Sequence, residues 1–287
     1  MEYWLAWFHE ANEQVKQVAT AAERMGFAGI AVSDHIAIPA GYTSVHPSGE
    51  RHIEHDTLIP GCLITMATMA AVTTRLRVMS YVYVLPMREP FSVAKQAATL
   101  AMQSDYRLLL GVGTGWNVDE IQLLGHDPHH RARRTDEMIA ILRDFWTDGL
   151  AASAGELYRF DTVGQFPVPQ RPIPILIGGK SAGALRRAAR NDGWVGMNYP
   201  VEEIRQLITA LNVERQRYVD DHGEGGIPFR RYVMPDAIPS RDVYQQLEDW
   251  GLDGVVAMVW YAGEAHYGSL EAKLEAMQQF ADRYIKA

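Results

Sequence analysis

The feature that most constrains this chain is a regular alternation of short β-rich runs with longer helical periods. Tyr3–Phe8 reads as a strand, and Val15, Val18, Ala19, Ala22 and Met25 follow at the three- and four-residue spacing of one helix face. Gly26 stops that helix, and Ala28–Ser33 is the next strand. A helix over about Leu58–Thr73 leads into a strand from Leu76 to Val82, and a helix beginning near Pro90 leads into Arg107–Val112. Met138, Ile141, Leu142 and Phe145 mark the helix before the strand Pro174–Ile177. Ser181–Arg190 precedes the strand Trp194–Met197, and a helix with Ile204, Leu207, Ile208 and Leu211 precedes Arg231–Met234. A helix through Val243 and Leu247, the strand Gly254–Trp260 and a helix bearing Leu270, Leu274 and Met277 complete the series. Alternating βα units imply a parallel sheet covered by helices. Eight of them in 287 residues favour a closed (β/α)8 TIM barrel of the α/β class over an open doubly wound sheet, as a single domain spanning residues 1–287.

Composition supports a large core and narrows the partners. Apolar residues make up 47% of the chain and the net charge is −8, so no basic face announces nucleic acid. Cys62 is the one cysteine, which excludes an internal disulfide and makes a reducing, cytoplasmic setting the expectation. In its apolar surroundings Cys62 reads as a small buried residue. The opening MEYWLAWF is shorter than a signal-peptide core and carries Glu2 instead of a positive flank. No apolar run approaches the roughly 18 residues that cross a bilayer, so no membrane association is expected.

In a barrel of this kind the chemistry sits on the loops that follow the strands. Three long connections, 34–56, 113–130 and 150–172, are therefore expected to shape a pocket. Ser33-Asp34-His35 ends the second strand. There His35 either moves protons and donates to developing charge or is hydrogen-bonded to its own loop, with Asp34 orienting it. Ser80-Tyr81-Val82 ends the third strand and, by composition, is aromatic packing. Gly111-Val-Gly-Thr114-Gly115-Trp116-Asn117 has alternate glycines that let backbone approach a flat ring or a phosphate, a tight structural turn being the alternative. The dinucleotide fingerprint fails because its third glycine would fall at Trp116.

Ile177-Gly178-Gly179-Lys180-Ser181 runs from a strand into a helix, which makes an anion cradle of backbone N–H groups with the charge of Lys180 added. The tail resembles a phosphate-binding NTPase loop, but Pro174 stands where its first glycine belongs, which disfavours that reading. The cluster His126-Asp-Pro-His129-His130 lacks a metal-binding spacing and reads as a solvated loop, so no metal site is expected. Trp4, Trp7, Tyr42, Trp116 and Trp260 are candidates for an apolar substrate wall, with core packing as the alternative.

Taken in order, these blocks resemble the luciferase-like monooxygenase superfamily over nearly the whole chain. They are Gly26–His35, Ala70–Arg75 with Val84–Pro90, Gly111–Asn117, and Ile177–Gly179 with Ala184–Ala189. Ser-Asp-His and Gly-Trp-Asn most resemble the branch that uses the deazaflavin coenzyme F-420; the FMN-using branch shares the barrel and the phosphate cradle.

The resemblance implies that His35 lines the redox centre. It implies that Ser80–Tyr81 carries a non-proline cis peptide behind the ring. Thr114 and Gly115 would line the ring edge, Gly178, Gly179, Lys180 and Ser181 would hold the phosphate, and Asp34, Trp116 and Tyr42 would border the substrate. It also implies a homodimer. Two departures stand out. Trp116 occupies the position of a glutamate general acid in several members, and Ser104-Asp-Tyr-Arg107 replaces Ser-Gly-Gly-Arg.

The leading expectation is hydride transfer between the deazaflavin and a small organic substrate. Alternatives are an FMN-dependent monooxygenase fed by a separate reductase, a non-catalytic flavin-binding protein and, more remotely, a metal-dependent barrel hydrolase.

Overall fold

The computed structural model describes residues 1–10, 12–46, 53–260 and 268–286. Its strands are β1 (Glu2–Trp7), β2 (Gly29–Val32), β3 (Arg77–Ser80), β4 (Tyr83–Val84), β5 (Leu108–Gly113), β6 (Leu150–Ala154), β7 (Arg159–Gly164), β8 (Ile175–Gly178), β9 (Gly193–Tyr199), β10 (Arg230–Pro235) and β11 (Gly254–Ala257). β4 continues β3 after a break at Tyr81-Val82. The parallel order β1-β2-β3-β5-β8-β9-β10-β11 closes on itself through β1 and β11, giving the eight-stranded (β/α)8 barrel that the alternation implies.

The alternation of side chains along each strand divides the core in two. Trp4 and Ala6 of β1 point into the barrel, where they meet Ala31, Met79, Leu176 and Tyr232. Their neighbours Leu5 and Trp7 point outward into the layer beneath the helices. Trp4 and Trp7 are both essentially inaccessible, so of the proposed wall residues these two are core.

The helices are α1 (Val15–Met25), α2 (Cys62–Ala71), α3 (Pro90–Gln103), α4 (Val118–Leu123), α5 (Arg131–Asp148), α6 (Ala182–Ala189), α7 (Val201–His222), α8 (Arg241–Asp249) and α9 (Leu270–Phe280). The periodic residues read from the sequence are the buried ones in α1 and α5, and Gly26 ends α1 in the left-handed region at φ 92°. Glu89 caps α3 by accepting the N–H groups of Phe91 and Ser92, and Ser181 caps α6 through the N–H of Ala184. Cys62 is buried against the carbonyl of Val32, and burial pushes its thiol well above the ordinary value.

One expectation changes. The 150–172 connection does not shape the mouth; β6 and β7 form an antiparallel hairpin on the outside of the barrel. Glu137 of α5 holds its turn by accepting N–H groups of residues 156–158, and Phe160 packs edge-on to Phe91 of α3 at 5.1 Å. α5 ends at Asp148 and β6 begins at Leu150, so the hairpin is built directly off the end of that helix. Asp105 and Tyr106, which stand in place of two glycines of the resemblance's pattern, both take left-handed backbone, at φ 52° and 59°. Tyr106 holds its turn by donating N–H to Ala101 and accepting one from Gln170 at its hydroxyl.

Candidate active site

A cavity of about 1180 Å³ opens at the C-terminal ends of the barrel strands. It lies where the chemistry of such barrels is built, and each strand tip contributes to it. The loop after β2 brings His35 to its edge, with Trp116 from the loop after β5 and Trp260 from beyond β11.

His35 is held by a residue that the sequence reading passed over. Its Nδ1 lies 2.6 Å from Oε2 of Glu120, a wholly buried carboxylate on α4. The other oxygen of Glu120 accepts the N–H groups of Ile36 and Ala37 at 2.6 and 3.0 Å. Burial pushes the Glu120 carboxyl up, but the hydrogen bond and charge of His35 and the two N–H donors outweigh it and hold the group below its ordinary value. An ionised Glu120 can only accept, so Nδ1 carries the proton and Nε2 is the ring nitrogen free to act on a ligand.

The signal for Glu120 was present as Asn117-Val-Asp-Glu120. It has the spacing of a capping box, in which the glutamate would turn back on its own helix. Asn117 does cap α4, by accepting the N–H of Glu120 at 3.1 Å, but the Glu120 side chain crosses to the β2 loop instead. Asp119 reinforces that crossing. It takes the hydroxyl of Ser44 at 2.5 Å and the N–H groups of Thr43 and Ser44.

Asp34 is buried and faces Arg88 through two hydrogen bonds of 2.8 and 2.7 Å, and it accepts the N–H of Val84. Burial pushes its carboxyl up against the pull of Arg88 and Val84. It borders the cavity, yet its hydrogen bonds tie the β2 tip to β4 and do not reach His35. Trp116 stands edge-on to His35, Tyr42 and His46 at 5.7, 5.7 and 5.0 Å. Tyr42 supports Trp116 from behind, with its hydroxyl on the carbonyl of Ile53, and does not itself line the cavity.

The non-proline cis peptide joins Tyr81 to Val82, one residue later than the Ser80–Tyr81 position the resemblance implied. The hydrogen bonds explain the shift. Ser80 is still paired in β3 and buried, with its hydroxyl on the carbonyl of Gly111. Tyr81 keeps its ring inside the barrel, stacked on Phe8, and its hydroxyl donates to Gly196. Val82 is therefore the residue turned toward β5. A Cβ on Gly113 would stand 2.6 Å from Val82, one on Gly178 2.7 Å from it, and one on Gly111 2.1 Å from the carbonyl oxygen of Ser80. These glycines make room first for the protein's own ridge at residues 80–82, although Gly113, Thr114, Gly115, Gly178 and Gly179 also border the cavity.

Gly179, at φ 115°, turns the chain into α6. Lys180 does not line the cavity; it forms an ion pair with Glu203 at 2.8 Å and lies over the Tyr199 ring, and Ser181 is exposed at the helix cap. Of the histidine cluster, His126 lies 3.5 Å from Arg134, and burial with that charge pushes it below its ordinary value. No group of side chains suited to a metal ion occurs among the described residues.

The sequence profile of the luciferase-like monooxygenase family matches residues 6–224, and the chain belongs to that family. It is an enzyme of the flavin- and deazaflavin-dependent oxidoreductase and monooxygenase type. Over 273 residues it is 34% identical to an uncharacterised protein of Mycobacterium tuberculosis, covering 93% of each chain. Among solved structures it is similar to the monooxygenase RslO1 of Streptomyces bottropensis, with a TM-score of 0.80 and 16% identity over 99% of both chains. It is also similar to the coenzyme F-420-dependent tetrahydromethanopterin reductase of Methanopyrus kandleri, with a TM-score of 0.75 and 11% identity over 99% of this chain and 98% of that one. At such identities the likeness is one of fold.

Proposed function

We propose that this enzyme transfers a hydride between the deazaflavin coenzyme F-420 and a small organic substrate, with His35 as its proton-transfer group. The observation that carries the reading is the Glu120–His35 pair at the cavity wall. A carboxylate fixes one imidazole nitrogen and leaves the other to take up or release a proton.

The residues present fit a flat ring with a phosphate-bearing side chain. The Tyr81–Val82 ridge and Gly113–Gly115 give the cavity a wall with little side-chain bulk, and the start of α6 opens beside Gly179. Helix-start N–H groups favour an anion. A deazaflavin there would accept the hydride of an alcohol or supply one to a carbonyl and, having carbon in place of the flavin N5, would react poorly with oxygen. His35 Nε2 takes the proton of a substrate hydroxyl, or returns it to a carbonyl oxygen, while Glu120 stabilises the imidazolium between those events. Trp116 and Trp260 exclude water from the reacting atoms, and Asp34 with Arg88 keeps the β2 tip fixed on β4.

The same ridge and helix start would accept FMN, which makes the flavin monooxygenase, supplied by a separate reductase, the second reading. A fluorescence titration of the purified protein with F-420 and with FMN separates the two. Preference for F-420, followed by anaerobic turnover of an alcohol or carbonyl panel, is the expected result. Preference for FMN, with product formed only when oxygen and reduced flavin are present, would overturn the hydride-transfer reading.

A further inference from the structure

The cavity holds few charges. Among its described lining residues Arg131 is the one guanidinium or ammonium group. Of the lining carboxylates, Asp34 is taken by Arg88, and Asp236 stands beyond the tip of β10, two strands round the ring from β8.

Local structure explains how Arg131 comes to be there. Asp127 caps the short turn 128–130 by accepting the N–H of His129, and the chain enters α5 at Arg131. The Nη1 of Arg131 donates to the carbonyl of Pro128 at 2.6 Å, and Arg131 forms no ion pair with a carboxylate among the described residues. The first turn of α5 is clamped to α6. Arg187 donates to the carbonyl of Ala132 at 3.1 Å and to the carboxylate of Asp136 at 2.7 and 2.9 Å. Arg131 therefore borders the cavity from the connection between β5 and β8, the paired strands whose ends carry Gly113–Gly115 and Gly178–Gly179. The neighbouring Lys180, which the sequence made the cation beside those glycines, is neutralised by Glu203 and does not border the cavity.

We propose that Arg131 is the cation that holds the anionic side chain of the cofactor, in place of Lys180. The proposal rests on the reading of the cavity as a site for a phosphate-bearing ring. A guanidinium gives a phosphate two parallel donors, which a lysine paired with Glu203 does not.

The test compares cofactors with and without the anion. Affinities of the unmodified protein and of Arg131→Gln are measured by fluorescence for F-420 and for its phosphate-free 5-deazariboflavin chromophore, and in parallel for FMN and riboflavin. A lost charge-assisted contact weakens binding by about 10- to 100-fold. The expected result is that loss for the phosphate-bearing member of the pair, with the phosphate-free member bound as before. Retained binding of the phosphate-free ring also reports a folded cavity.

If the loss appears with FMN and riboflavin while F-420 is not bound, the deazaflavin reading fails and the role of Arg131 stands. Equal weakening of both members, weakening of neither, or an unmodified protein that binds none of the four would overturn the proposal. Should Arg131→Gln not fold, Arg131→Lys carries the same comparison, with a smaller loss for the phosphate-bearing member alone.

Discussion

At the scale of single residues, the proposed proton transfer rests on His35 and the carboxylate that orients it, and each can be tested alone. His35→Ala removes the proposed proton-transfer group but leaves the ridge and the helix start intact. Turnover should fall by about 10²–10⁴-fold with cofactor affinity unchanged; unchanged turnover in steady-state assays would remove His35 from the chemistry. Glu120→Gln keeps the shape and loses the charge. The Glu120 carboxyl lies below its ordinary value of 4.5, so its ionised form contributes stability above that pH. That contribution is lost as pH falls through the depressed folded value. Chemical denaturation across the acid range should therefore show a stability that declines below about pH 4.5 in the unmodified protein and declines less in Glu120→Gln. Equal slopes would mean that the carboxylate is not held as the structure shows.

At the scale of elements, the interruption between β3 and β4 governs the site. The ridge it makes explains why β5 and β8 carry glycine where they pass it, a close fit between neighbouring strands. Gly113→Ala places a methyl against the Val82 side chain and should cost about 1–3 kcal/mol by denaturant unfolding. Val82→Ala in the same chain should recover part of that loss, because the obstacle is a side chain. Gly111→Ala should not be recovered in this way, because its obstacle is the Ser80 carbonyl. Additive losses for Gly113→Ala and Val82→Ala would show that the two positions do not meet.

At the scale of the whole molecule, the barrel closes by pairing β1 with β11, and a buried ion pair fastens the helix that follows. Lys273 of α9 binds Glu10, just after β1, and Gln14; Glu10 also accepts the indole N–H of Trp260 at 2.6 Å. Trp260 lines the cavity, so this cluster joins the closure of the barrel to the wall of the site. Lys273→Ala leaves a buried carboxylate unpaired and should destabilise the protein by about 3–5 kcal/mol in chemical denaturation. A loss of less than about 1 kcal/mol, the range of exposed pairs, would show that water reaches Glu10. A homodimer is the assembly expected from the family, and the mass from light scattering after size exclusion decides it.

The fold was legible from sequence because its signals are local. Strand and helix periods depend on neighbours within one turn or one pleat, and Gly26, Pro90 and Ser181 mark helix ends whatever packs above them. His35 and the Gly178-Gly179 turn were legible for the same reason, each lying where a strand ends. The partners were not legible, because they meet across long stretches of chain. Glu120 joins His35 from 85 residues away, and Lys273 joins Glu10 from 263. Asn117-Val-Asp-Glu120 has the same local pattern whether its glutamate caps its own helix or reaches another loop. Lys180 was likewise read as a free charge because Glu203, on the next helix, cannot be seen from the residues beside it. Sequence alone determined the eight-unit barrel and the strand ends that carry its chemistry. Tertiary structure decided which side chains face one another, because a buried charge or a close-packed glycine takes its meaning from what the fold places against it.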